Sequence, residues 1–135
     1  MATLVPCHLS HVVIDEDADQ QTIYVSERSG RRRFPIAIGQ MEALAIDRAV
    51  KGQEFPRPLT HDLLVGIIEA QQGHLAEVRI TDVRDGTFFA ELVLARADGG
   101  ACTVDCRPSD ALAVMVRRPG TPLLVAEHVL EEAAG

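Results

Sequence analysis

The sequence predicts an α+β fold: a single compact domain with a mixed, mainly antiparallel sheet and about four helices. Its 135 residues, 47% hydrophobic and 24% charged, have the size and composition of one soluble globular domain. Apolar residues alternate with period two in successive runs closed by turn residues, and these strand runs come in groups instead of alternating strictly with helices. Neither a long linker nor a low-complexity segment divides the chain, so residues 1–135 read as one domain.

The first strand spans residues 4–14, which are β-rich around V-V-I, and the acidic stretch Asp15 to Asp19 turns the chain into a cleanly alternating strand at 22–27. Ser29-Gly30 is a second turn. F-P-I-A-I at 34–38 is a third strand, with Pro35 suited to an edge or a strand start because it has no N–H to donate. Gly39 ends it, and the Ala-rich run 40–51 is a helix stopped by Gly52, with Glu42 in the first turn on a stripe shared with Ala45, Ile46 and Ala49.

Residues 60–72 form the second helix. Thr60 is its expected cap, Leu63, Leu64, Ile67 and Ile68 its core-facing stripe, and Gly73 its left-handed terminator. Strands at 78–83, 87–94 and 101–106 follow, joined by Asp85-Gly86 and Asp98-Gly99-Gly100. The helix at 109–117 is apolar nearly all round, hence buried, and Pro119-Gly120 stops it. A short strand at 123–126 and a helix at 128–133 close the chain.

Composition restricts function. A net charge of −7 argues against indiscriminate nucleic-acid binding, since phosphate neutralisation by Lys and Arg supplies most of that affinity. The longest apolar stretch, 111–116, is far short of the roughly 18 to 20 residues that span a bilayer, and M-A-T-L-V-P-C-H lacks the basic start and apolar core of a signal peptide. A cytoplasmic protein without a membrane partner is expected. Cys7, Cys102 and Cys106 have no zinc spacing and read as ordinary thiols, and His8, His11, His74 and His128 have no metal-binding companion spacing. Arg31 to Arg33 read as a solvated run or a phosphate-contacting patch, and Asp82 and Asp85 as turn chemistry. P-loop, Rossmann and nucleophile-elbow signatures are absent.

Two segments share one grammar: F-P-R-P-L-T-H-D-L-L at 55–64 and C-R-P-S-D-A-L at 106–112 each place Arg-Pro before a hydroxyl and an Asp, then open an apolar run. Helix entry explains the prolines and hydroxyls. Arg57 and Arg107 stand just outside helix starts, where free N–H groups favour anions and a guanidinium adds a bidentate clamp on phosphate. Two readings stay open. In one, Arg57 and Arg107 pair with Asp110 and Asp62, or with backbone carbonyls, and lock two loops together. In the other, carboxylates drawn from Glu42, Asp62 and Asp110 hold Mg²⁺ or Mn²⁺, His61 moves protons or orients water, and the arginines hold phosphate.

These motifs, with I-A-I-G-Q-M-E-A-L-A-I at 36–46, D-G-T-F-F-A-E-L at 85–92 and D-C-R-P-S-D-A-L-A at 105–113, resemble the bifunctional nuclease family in order and spacing over nearly the whole chain. The resemblance implies a compact α+β domain, association as a homo-oligomer, and cleavage of DNA and RNA. It supplies no catalytic set of its own, but its matching motifs contain Glu42, His61, Asp62 and Asp110, whose chemistry makes them the candidate catalytic groups, and Arg57, Thr60, Arg107 and Ser109, the candidate phosphate-binding groups. An oligomeric binding or regulatory module with no catalysis, in which the same residues are structural, is the competing expectation.

Overall fold

A computed structural model describes residues 3–134. Along the chain run β1 (Leu4–Val13), β2 (Gln20–Glu27), β3 (Arg33–Gly39), α1 (Gln40–Val50), α2 (Thr60–Ala70), β4 (Gly73–Arg84), β5 (Thr87–Arg96), β6 (Ala101–Cys106), α3 (Pro108–Met115), β7 (Leu123–Ala126) and α4 (Glu127–Ala133). The seven strands form one mixed sheet in the order β3-β2-β1-β7-β4-β5-β6. Every pair is antiparallel except β4 with β7, where Val78–Ile80 lie beside Leu123–Val125 in parallel. The predicted α+β class and single compact domain are what the structure has.

Period two sets the strands' faces. In β3, Phe34, Ile36 and Ile38 are buried while Arg33, Pro35 and Ala37 are exposed, and Pro35 lies on the sheet's edge strand. Ile23 and Val25 of β2, Val78 and Ile80 of β4, and Leu123 and Val125 of β7 extend the same core. The sheet is strongly curled. Phe34 stacks on Phe88 with ring centroids 5.5 Å apart, although β3 and β5 are five places apart in the sheet. In a flat sheet that offset would separate them by about 24 Å. Register shifts at Leu9/His11, Leu75/Glu77 and Ile80/Asp82 supply bends in the strands that curl.

The turns follow their sequence chemistry. Asp85 and Gly86, with φ of 51° and 79°, make the two-residue connection between Arg84 and Thr87. The acidic turn after β1 depends on a residue of no obvious role in the sequence: Gln21, buried, donates Nε2 to Asp15 O (2.8 Å) and Ala18 O (3.0 Å) and accepts from Asp15 N. Cys7 is buried, Cys102 and Cys106 half-buried, and all three are free thiols.

Several local expectations need correction. Leu59, not Thr60, caps α2, and Thr60 is the first helical residue. Gln72, at φ 63°, takes the left-handed position assigned to Gly73. Gly73 begins β4 where a Cβ would stand 3.1 Å from Ala95 O and 3.2 Å from Ile68 O, so close chain approach explains it. Asp82 lies within β4 instead of flanking the turn, accepting from Arg84 Nε and lying 3.2 Å from His128 Nε2 on α4. Arg32 pairs with Glu27 and Glu127, which ties the β2–β3 turn to α4, and Arg33 stands over Tyr24.

The largest correction concerns α2. Leu63 (55% exposed), Leu64 (37%) and Ile67 (52%) face outward, and Val65 is the helix's buried residue. The reason is at the far end of α3, where Arg117, only 7% exposed, donates Nε to Asp62 Oδ1 at 2.7 Å and Nη1 to Ala113 O at 2.7 Å. Arg118 makes two 2.6 Å bonds to Glu69. These two acids flank Val65 on one helical face, so the ion pairs hold that face against α3 and leave Leu63, Leu64 and Ile67 outside, with Ile68 half-buried.

Candidate functional site

A cleft of about 730 Å³ opens between α1, the start of α2, β6 and the start of α3, lined among others by Glu42, Arg48, Thr60, His61, Arg107 and Asp110. Each wall arrives by a local rule. Gly39 caps α1 and puts Glu42 in its first turn, with a carboxylate so close over Gly39 that a Cβ there would collide with it. Leu59 holds extended backbone as the cap of α2, so His61 enters at the helix's second position. Pro108 at the start of α3 leaves Arg107 outside the helix and Asp110 in its first turn.

His61 and Asp110, 49 residues apart in sequence, meet here with Nε2 3.0 Å from Oδ1, and the His61 side chain is 12% exposed. Arg107 donates Nε to Asp110 Oδ2 at 2.9 Å, Nη2 to Asp110 Oδ1 at 3.3 Å, and Nη1 to Glu42 Oε1 at 3.3 Å. Burial pushes the Asp110 carboxyl up, but the bonds from Arg107 and His61 outweigh it and hold the group below the usual Asp value. Asp110 is therefore an ionised acceptor at neutral pH. A neutral imidazole facing it carries its proton on Nε2, which leaves Nδ1 as the basic ring nitrogen.

Of the residues singled out from sequence, Glu42, Thr60, His61, Arg107 and Asp110 converge on the cleft. Asp62 turns away: it accepts Leu59 N at 2.8 Å and pairs with Arg117, and the Leu59 bond is the largest influence holding its carboxyl below the ordinary value. Ser109 is buried in α3 away from the lining. Arg57 is exposed in the loop before α2, outside the lining, and makes no ion pair among the described residues. Sequence reasoning missed Arg48, although it follows Ala45 by three residues and so lies on that residue's helical face. It also missed Arg117, whose signal was a charged residue at the end of a buried helix, a position that demands a carboxylate partner. The lock expected between Asp62 and Arg57 or Arg107 thus exists with Arg117 instead.

The acids do not form a metal-binding set. Arg107 bridges Asp110 to Glu42, Asp62 belongs to Arg117, and among the described residues no three His, Cys, Asp or Glu side chains are grouped to hold a metal ion. A divalent ion in the cleft would have to take Glu42 and Asp110 from Arg107. Cys106 also lines the cleft, but burial, aided by the charge of Asp110, pushes its thiol up to about 11, so it stays protonated and a poor nucleophile at neutral pH.

Comparison with known proteins adds two findings. The sequence model of the bifunctional nuclease domain matches residues 23–135. Two Mycobacterium tuberculosis proteins, uncharacterized protein MT1877 of strain CDC 1551 / Oshkosh and uncharacterized protein Rv1829 of strain ATCC 25618 / H37Rv, are each 42% identical over 120 residues, covering 89% of this chain and 70% of their own.

Proposed function

Since this chain belongs to the bifunctional nuclease domain family, we propose that its cleft hydrolyses phosphodiester bonds of DNA and RNA. The observation that carries this reading is the His61–Asp110 pair beside Arg107 in a cleft of about 730 Å³. Asp110 fixes the imidazole so that Nδ1 accepts a proton from water as that water's oxygen attacks phosphorus. The P–O bond to the departing sugar oxygen breaks, that oxygen takes a proton from solvent, and His61 returns its own to solvent. Arg107 and Arg48 supply positive charge for the phosphoryl oxygens, the electrostatic component of catalysis. Among the lining groups these two arginines balance Glu42 and Asp110, so the cleft escapes the negative charge of the whole molecule.

The test is cleavage of DNA and RNA oligonucleotides by the wild type and by His61→Gln, purified identically, in EDTA and in Mg²⁺ or Mn²⁺. Removing a general base is expected to lower turnover by about 10²- to 10⁴-fold. Full activity in His61→Gln would remove the assignment. Activity that survives EDTA is expected of this constellation, whereas strict dependence on a divalent ion would require Arg107 to give up its carboxylates to the metal.

A second reading, a binding or regulatory module without catalysis, is favoured by the full pairing of Arg107 with Asp110 and Glu42. It expects Asp110→Ala to lower the melting temperature in a protein that has no turnover to lose. Under either reading, the outward face of Leu63, Leu64 and Ile67 supports self-association of the protein through α2.

A further inference from the structure

Phe55 is placed as no other phenylalanine of the chain is. Phe34 is buried, Phe88 is half-buried against it, and Phe89 lies half-buried under Arg84, whereas Phe55 stands in the loop between α1 and α2 and is 42% exposed. The Arg48 guanidinium sits over its ring, Cζ 5.5 Å from the centroid. Arg48 and Leu59 line the catalytic cleft and also a neighbouring hollow of about 330 Å³ that contains Phe55, so the two recesses share a wall. Arg57, two residues beyond, is exposed without an ion pair among the described residues. Met41, Leu64 and Val104, all exposed, give the cleft itself an apolar rim.

We infer that Phe55, braced by Arg48 and flanked by Arg57, is a stacking subsite for an unpaired nucleobase next to the scissile phosphate, which makes single-stranded nucleic acid the substrate. The inference rests on the reading of the cleft as a phosphodiesterase site. An exposed ring beside an arginine is the element on which single strands stack, and it accepts any base because every base has a π-face. A duplex hides those faces and offers mainly phosphates, which a protein of net charge −7 attracts poorly. Affinity therefore has to come from base contact assisted by a few local arginines. Arg48, in holding the ring, reduces the side-chain freedom lost when a base docks.

The test is binding of a cleavage-resistant phosphorothioate oligonucleotide, as a single strand and as a blunt duplex, followed by fluorescence anisotropy with the full chain. The single strand is expected to bind at least about ten-fold tighter than the duplex. Phe55→Ala is expected to weaken single-strand binding by about 5- to 100-fold and leave the duplex unchanged, with Phe55→Tyr restoring it. Equal affinity for duplex, wild-type binding by Phe55→Ala, or failure of Phe55→Tyr to restore would each overturn the proposal. An abasic oligomer of tetrahydrofuran phosphate, which carries no aromatic ring to stack, separates the two readings. It is expected to be cleaved equally by wild type and Phe55→Ala and lost in His61→Gln. If the wild type cleaves neither it nor any oligonucleotide, the phosphodiesterase reading falls, and the binding measurements alone decide the stacking subsite.

Discussion

Asp110 shares its oxygens between a histidine and an arginine, so the grip of Arg107 on its carboxylates sets how freely that arginine can receive an anion. Glu42 is the second brake on Arg107, and its place depends on Gly39 having no side chain. Gly39→Ala tests this. The Gly39 backbone, at φ −72°, accepts alanine, and the new methyl group forces the Glu42 carboxylate aside. Stability is expected to change by no more than about 1 kcal/mol, because the smaller unfolded-chain entropy of alanine is opposed by its weakness as a helix N-cap. Inorganic phosphate, titrated by calorimetry, is expected to bind about 1.5- to 5-fold tighter, the equivalent of one weak surface ion pair. Unchanged phosphate affinity would show that Glu42 does not restrain Arg107. Membership of the cleft was legible in sequence where a residue had no folding task, as for His61 and Arg107. Arg48 was not, because an arginine in a helix's last turn is already accounted for by the helix dipole.

At the scale of the element, α2 shows a charge overruling an apolar stripe. Periodicity reads only one helix at a time, and it cannot see that Arg117, at the end of another helix, needs Asp62 more than the core needs Leu63. The buried character of α3 was legible because it is apolar on all sides and any docking buries it. Asp62→Asn is expected to cost about 1–3 kcal/mol in urea denaturation, less than the roughly 3–5 for a fully buried pair, because Asp62 is 41% exposed. The pH dependence has a definite sign. The folded Asp62 carboxyl lies below its ordinary value of 3.8, so its contribution is complete above that value and is lost as pH falls through the lower folded value. Acid unfolding of Asp62→Asn is expected to be flatter than that of the wild type in that window, and superimposable curves would remove Asp62 from the account.

For the whole molecule, the outward-rolled α2 leaves Leu63 and Ile67 available to a second copy, while the sheet ends in β6, an edge strand exposed along most of its length. Leu63→Glu with Ile67→Glu is expected to change monomer stability by no more than about 0.5 kcal/mol each, as exposed positions do, and to shift the mass measured by light scattering to that of the monomer. An unchanged mass would move any interface elsewhere. Strand order was less legible than strand existence: alternation located the strands, but nothing in it says that the first strand pairs with the last. That pairing has a consequence for how the protein is made. β1–β3 and β4–β6 are two antiparallel meanders, and β7, four residues near the end of the chain, is the only strand hydrogen-bonded to both among the described residues. During synthesis the first meander emerges long before the joint and the second only shortly before it, so the sheet cannot close while residues 123–126 remain in the ribosome, and the nascent chain must keep the inner edges of β1 and β4 unpaired until then.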